Sequence, residues 1–466
     1  MNRITTASIS LIATSVSLAI FSNTASAAAF GIAEQSVTGL GAAFSTGSSA
    51  ASDGSTVYFN PAGMSFLKKR TAATFGAHVI DPNARFNDKG STITAALGGA
   101  SLNVNNEEGG DAGPVALVPN FYYTRAINDT WTAGVGVNAP FGLVTDYDKG
   151  WVGRYYALKS DLKTVNINPS IAYKANPTLS FGFGINIQYI DASLSNAVDF
   201  GSVCAATQTA GTCAALNLSP QADDGEVEVA GDDWSFGYNL GLLWQATPAT
   251  RLGLAYRSKI KHKLEGKADF DTPNNPTTGN ATAIASGLGF VDGDVDANVS
   301  LPDSFSVGLQ HEINNKLTVN ADVTWTNWSE LQELRFDFAN PLAADGVTTL
   351  EWEDSNRYSL GLTYAQNEHW TWRAGIALDE SATPSSALIS PRVPDADRTW
   401  LTFGFTYKPS QKMSVDFGYA HLFIEDAKVN KAAGINTSSE NLFRGNLVGD
   451  YDIDVNILSV QTRWSF

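Results

Sequence analysis

Beyond Arg70 the chain repeats with a period of two. Val165, Ile167, Ile171 and Tyr173 alternate with Asn166, Asn168, Ser170 and Ala172. Phe181, Phe183, Ile185, Ile187 and Tyr189 alternate with smaller or polar residues. Leu401, Phe403, Phe405 and Tyr407 repeat the pattern, as do Val415, Phe417 and Tyr419. Alternation of this kind predicts strands with one apolar face and one polar face. A soluble sandwich shares it, so the connections must separate the two architectures.

The connections alternate in length. Short ones fall at Ile127–Thr130, Asn176-Pro177, Thr247–Thr250, Asn314-Asn315, Gln366–Glu368 and Lys408–Gln411. Long ones fall near Asp81–Pro114, Asp148–Arg154, Asn196–Asp233, Asp271–Gly293, Ala339–Val347, Thr383–Ala396 and Asn430–Gly449. Six turns and seven loops join about fourteen strands, the short–long rhythm of an up-and-down membrane barrel. The expected fold is all-β: a 14-stranded antiparallel transmembrane β-barrel with both termini on the periplasmic side.

Residues 1–27 read as a secretory signal, with Arg3, an apolar core from Ile9 to Phe21, and the small residues Ala25-Ser26-Ala27. That core is too short to span a bilayer, and no later window carries about 18 consecutive apolar residues. An exported chain that meets a membrane without helices must cross it as a closed barrel, because only closure pairs every strand N–H and C=O in lipid. The last strand ends in Phe466, with Trp464, Val460 and Leu458 alternating behind it. This resembles the signal read by the barrel-assembly machinery, an expected partner during biogenesis. Mean hydropathy is -0.10, and 24 Phe, 15 Tyr and 11 Trp stand against 3 Met. A formal charge of -17 argues against nucleic acid and against a polybasic anchor. It is compatible with outer-membrane lipids and a cation-bridged lipopolysaccharide surface.

Gly39 to Gly63 breaks the strand pattern. Gly-Leu-Gly opens it, Asp53-Gly54 lies in its middle, and Asn60-Pro61-Ala62 closes it. Asn caps free N–H groups and Pro at the first helical position loses no hydrogen bond, so Asn60 suits a helix start. An ordinary capped turn would read the same way. Together with three later stretches, this segment resembles the FadL family of outer-membrane transporters of long-chain fatty acids and other hydrophobic compounds. Those stretches are Asn138-Ala139-Pro140-Phe141-Gly142-Leu143-Val144-Thr145, then Leu301-Pro302-Asp303 with Trp325-Thr326-Asn327-Trp328-Ser329, and Val393-Pro394-Asp395-Ala396-Asp397-Arg398-Thr399-Trp400. They occur in family order over essentially the whole mature chain. The resemblance implies a small helical hatch at 28–68, with Phe30, Asn60, Pro61 and Ala62 as its marker residues, inside a barrel at 69–466. It also implies an outer membrane of a Gram-negative bacterium, no cofactor and a monomer.

The third strand carries its own argument. Trp131, Ala133, Val135, Val137 and Ala139 form the lipid-facing set, and Thr132, Gly134, Gly136 and Asn138 point inward. Pro140 then removes a ladder donor, and Gly142 permits backbone angles that other residues resist. A closed barrel has no edge to absorb a proline, although one near the rim would be tolerated. The expectation is an inward bend between Gly136 and Leu143 that opens the wall, with Phe141 at its lip.

No catalytic motif is present: no Gly-x-Ser-x-Gly elbow, no His-Glu-x-x-His and no phosphate loop. The five His residues lack ligand spacing, and no metal site is expected. The run Asp292-x-Asp294-x-Asp296-x-Asn298-x-Ser300 echoes a calcium loop but lacks its turn glycine and bidentate Glu, and otherwise reads as a solvated acidic loop. Cys204 and Cys213 share one long loop of an exported protein and read as a disulfide, with two free thiols as the alternative. What remains is passage of a hydrophobic small molecule, which must keep its apolar surface out of water. By resemblance the ligand is a long-chain fatty acid. The family's interior basic residues do not map clearly, so Arg154, Arg257 and Arg357 are unranked partners for its carboxylate. That departure keeps aromatic and aliphatic hydrocarbons open as ligands. A watery porin and an outer-membrane lipase are the readings from other classes.

Overall fold

The computed structural model describes residues 29–68, 71–102, 108–275, 279–434 and 439–466. The signal read at 1–27, the start of the mature chain at Ala28, and Lys69-Arg70 lie outside the described residues. Fourteen antiparallel strands follow in chain order. They are β1 (Thr71–Asp88), β2 (Ala116–Ala126), β3 (Trp131–Asn138, resuming as Gly142–Asp146), β4 (Lys159–Asn176), β5 (Leu179–Asp199), β6 (Asp224–Thr247) and β7 (Thr250–Arg257, resuming as Ile260–Asp271). Then come β8 (Gly293–Leu301 and Ser304–Glu312), β9 (Leu317–Thr326, resuming as Glu333–Phe338), β10 (Ser355–Ala365), β11 (Trp370–Asp379), β12 (Arg398–Ser410), β13 (Met413–Ile424, resuming as Ala427–Lys431) and β14 (Leu447–Ser465). Each pairs with its successor, and β14 closes on β1 from Ala72↔Ser465 to Asp88↔Gly449. Closure removes the two terminal edges that an open sheet would leave unpaired in lipid, apart from the local break between β2 and β3.

The six short turns stand where the sequence places them. Two long loops are shorter than expected, because β1 runs on past Asp81 to Asp88 and β6 begins at Asp224 rather than Asp233. Both stretches rise above the apolar belt. There the outward face meets water, so the lipid-type period that marks a membrane strand disappears. The acidic run Asp292–Ser300 is likewise strand, not loop. Asp294 and Asp296 face outward on β8 and pair with Lys267 and Lys263 of β7.

The outward face carries the belt. Phe181, Phe183 and Ile185 are each 44 % exposed, as residues in contact with lipid tails must be. Aromatic pairs bound it, with Trp131–Tyr173 and Trp370–Tyr407 near the short turns and Tyr189–Trp234 and Tyr238–Tyr256 toward the long loops. Such girdles place amphipathic rings at the headgroup level. On the loop side, Cys204 and Cys213 are bonded to each other and link two short helices, Phe200–Thr207 and Ala210–Ala215.

The lumen is filled by residues 29–67. They form two single-turn helices, Val37–Leu40 and Thr56–Phe59, and a 3-10 helix, Pro61–Phe66. The barrel admits this hatch through inward glycines. A Cβ on Gly182 would lie 2.2 Å from Ala62 N, one on Gly241 2.0 Å from Asn60 Oδ1, and one on Gly253 1.9 Å from Ser48 O. On the opposite wall, Cβ atoms on Gly361 and Gly375 would strike Ser45 and Ala42 at 2.2 and 2.4 Å. Backbone meets backbone around the ring at distances only glycine allows.

Candidate functional site: the hatch, the third-strand break and the lumenal cavity

Asn60 anchors the hatch. Its Oδ1 accepts from Ala62 N at 3.1 Å, capping the 3-10 helix that Pro61 opens. Its Nδ2 donates to the carbonyls of Ser48 (2.6 Å), Leu242 (3.0 Å) and Leu254 (3.3 Å), the last two on the wall. On the opposite side, Asp53 accepts from Thr38 (2.5 Å) and from Gln461 of β14 (3.2 Å). Asp322 of β9 takes both the backbone N–H and the hydroxyl of Ser48. Arg463, whose charge holds the Asp53 carboxyl below the usual range against its burial, is itself paired with Asp416.

The break in β3 lies beside this anchor. β2 and β3 pair from Ala126↔Thr132 to Phe121↔Val137, and no further. Ala116–Asn120 of β2 then lose their β3 partners, and Pro119 stands in that open edge, where sheets tolerate proline. On the other flank the register with β4 slips by one residue between Asn138↔Asn166 and Gly142↔Lys163, a bulge containing Pro140. From Pro140 to Thr145 every residue is buried, whereas Val137 and Val135 just before are half-exposed. The strand has left the wall for the lumen. Gly142 does not take a positive φ, so the bend rests on the missing proline donor and the bulge rather than on glycine's left-handed freedom.

Phe141, expected at the lip of the opening, is turned inward. Its ring lies 6.0 Å from Phe30 and 6.1 Å from Trp328, and Phe30 also packs on Trp328 (5.1 Å) and Trp352 (5.8 Å). With Leu143, Ile190, Leu301 and Leu350 these rings make an apolar vault around Phe30. Just ahead of it, Ala29 N donates to Asp395 Oδ1 at 3.2 Å. Asp395 is held in turn by Ser381, Ala382 N and Arg398. The start of the hatch is thus gripped by Phe141, Trp328 and Asp395, one from each of the three later stretches singled out in the sequence.

Below the vault lies a cavity of about 140 Å³, lined by Ile32, Phe59, Pro140, Phe141, Arg257 and Arg357 among others. Arg257 donates to Asn186 Oδ1 at 2.5 Å and to Tyr58 O at 2.8 Å, and lies over the Tyr58 ring at 4.0 Å. Arg357 stacks over Phe44 at 5.5 Å and shares the cavity with Asp322 and Asp379. Arg154 is elsewhere, near the long loops, bound to Asp224 at 2.6 Å. Burial pushes the Glu34 carboxyl up to about 7, against the pull of Arg357. Trp328 and Asp395 stand in stretches quoted for the family, but nothing in the sequence marks them, Trp352, Asn186 or Glu34 as site residues.

Residues 18–466 match the family model described as "Outer membrane protein transport protein (OMPP1/FadL/TodX)". The chain belongs to the FadL family. It is 34 % identical over 428 residues to Outer membrane protein P1 of Haemophilus influenzae strain Rd, covering 89 % of each chain. It is 30 % identical over 433 residues to the long-chain fatty acid transport protein of Escherichia coli K12, covering 90 % of this chain and 93 % of that one. The crystal structure of a Pseudomonas aeruginosa FadL homologue superposes with a TM-score of 0.82 at 24 % identity, covering 94 % of this chain and 100 % of the homologue. The toluene transporter TodX of Pseudomonas putida follows at 0.65 and 19 % identity, covering 90 % and 95 %. The protein is accordingly a non-enzymatic outer-membrane channel for hydrophobic compounds.

Proposed function

We propose that this FadL-family channel takes up long-chain fatty acids and releases them sideways through the break in β3. The observation that carries this reading is Arg257. It is a half-buried guanidinium on the cavity wall, and among the described residues no carboxylate lies within ion-pair distance of it. A cation partly withdrawn from water without a counter-charge is unfavourable, and the carboxylate of a fatty acid would supply one, with the acyl chain in the vault around Phe30. Arg154 is satisfied by Asp224. Arg357 makes no ion pair among the described residues either, and its Nε lacks a partner, but Glu34, Asp322 and Asp379 all act on its charge, so Arg257, with no acidic group beside it, ranks first. Relatives named as long-chain fatty acid transport proteins support the same ligand.

The reading is tested by uptake of labelled oleate into cells lacking other routes. Arg257→Met should lower it about ten-fold or more, the loss expected for a charge-assisted hydrogen-bond pair. Uptake of toluene or alkanes with no oleate uptake by the wild-type protein would overturn it. The four-ring vault favours that second reading, since an aromatic hydrocarbon would use the rings and ignore Arg257.

A further inference from the structure

We propose that a row of inward amides, running from Arg257 to the break, is a track for the polar head of an amphiphile. The row rests on the lateral route argued above. Arg257 Nη1 donates to Asn186 Oδ1 at 2.5 Å. Asn166 Nδ2 donates to both Asn186 Oδ1 and Asn138 Oδ1, each at 3.1 Å. Asn138 is the last residue of β3 before the bend, paired in register with Asn166 of β4. Across the lost ladder Asn120 of β2 stands one step beyond the final pair, Phe121↔Val137, and so faces Asn138 over the opening.

Three properties together characterise this row; neighbouring Asn168 shares the first two, full burial and an unpartnered Oδ1, and differs in the third. Each of the four amides is at most 2 % exposed. Among the described residues, three of them keep one half of the side chain without a hydrogen-bond partner, Nδ2 of Asn186 and Oδ1 of Asn166 and of Asn120, while Nδ2 of Asn138 has only the Tyr122 hydroxyl. Folded proteins rarely leave such groups unpaired when buried, and a consecutive series of them calls for an explanation beyond stability. Lastly, among the described residues Asn138, Asn166 and Asn186 make no hydrogen bond to the hatch. The neighbouring pair does, through Asn168 Nδ2 to Asn239 Oδ1 (2.9 Å) and Asn239 Nδ2 to Val57 O (3.3 Å). The neighbouring pair holds the plug; the row does not.

The spare groups suit a moving head. A carboxylate only accepts, and finds the free N–H groups of Asn186 and the Asn138 amide that otherwise serves only the Tyr122 hydroxyl. A hydroxyl can also donate, to the free oxygens of Asn166 and Asn120. Neutral amides bind each head weakly and in succession, so a ligand drawn to Arg257 can leave again, as conduction through a narrow path requires. A hydrocarbon without a head gains nothing from the row.

The experiment compares uptake of oleate, oleyl alcohol and octadecene by intact cells carrying the full-length protein. In the double variant Asn138→Leu, Asn166→Leu, oleate and alcohol uptake should fall about ten-fold, and octadecene should stay within about two-fold. Equal losses for all three would mean the row is structural, and no loss would mean the head takes another path; either overturns the track. If the double variant does not assemble, Asn138→Asp decides. A carboxylate on the track should repel oleate alone, and unaltered oleate uptake refutes the proposal. A wild-type protein that carries the alcohol and octadecene but not oleate refutes the fatty-acid reading instead, and the track then stands or falls on the alcohol-to-octadecene contrast in the double variant.

Discussion

Ile32 donates its backbone N–H to the carbonyl oxygen of Pro140 at 2.9 Å, and Gly142 returns a bond to Phe30 O at 3.0 Å. The hatch thereby supplies the pairing that β2 withdraws from β3. Gln35 Nε2 adds a bond to Ala139 O at 2.7 Å. The break in β3 and the plug are one structure, so a ligand that left sideways would have to part these bonds or pass beside them.

Replacing Pro140 and Gly142 together with Val restores a ladder donor and favours extended geometry. The third strand should then pair further along β2 and the opening should narrow. The variant should assemble normally, as judged by heat-modifiable electrophoresis, and bind ligand while transporting it about ten-fold more slowly. Wild-type transport by this variant would place the exit elsewhere, straight through the hatch into the periplasm.

The hatch should be released from the wall by a single substitution. A Cβ on Gly241 would overlap Asn60 Oδ1 at 2.0 Å, so Gly241→Val must expel the Asn60 side chain. Asn60→Ala removes the cap, at about 1 kcal/mol, and the three Nδ2 bonds with it. Both variants should keep the barrel and raise ion conductance in planar bilayers, with Gly241→Val the more conductive. Unchanged conductance in both would show that other contacts suffice to hold the plug.

Hatch docking should weaken as pH rises. Glu34 is 1 % exposed, and burial raises its carboxyl from 4.5 to about 7. The docked state therefore holds its proton more tightly than a released one, so its stability falls with increasing pH between those values and levels off above. The difference corresponds to a ceiling of roughly 3 kcal/mol. Proteolysis of the hatch should be faster at pH 8 than at pH 5, and Glu34→Gln should flatten the profile. A profile unchanged by that substitution would place the titrating group elsewhere.

Much of this protein is decided by local pattern. The period-two runs and the short–long rhythm determine fourteen strands, because inside and outside of a membrane wall impose alternation residue by residue. Asn60-Pro61 marks its own helix start, since a cap is satisfied within three residues. Other features arise only when the barrel closes. Whether an arginine is free depends on what register and curvature bring to it: Arg154 meets Asp224 from 70 positions away, and among the described residues Arg257 meets no carboxylate. Trp328, Trp352 and Asp395 converge on Phe30 and Ala29 across more than 290 positions of chain. The inward glycines read in sequence as weak strand residues and become a docking ring only when a plug presses on them. Alternation is a property of each strand alone. The site is a property of closure, which sets side chains from distant strands around one lumen.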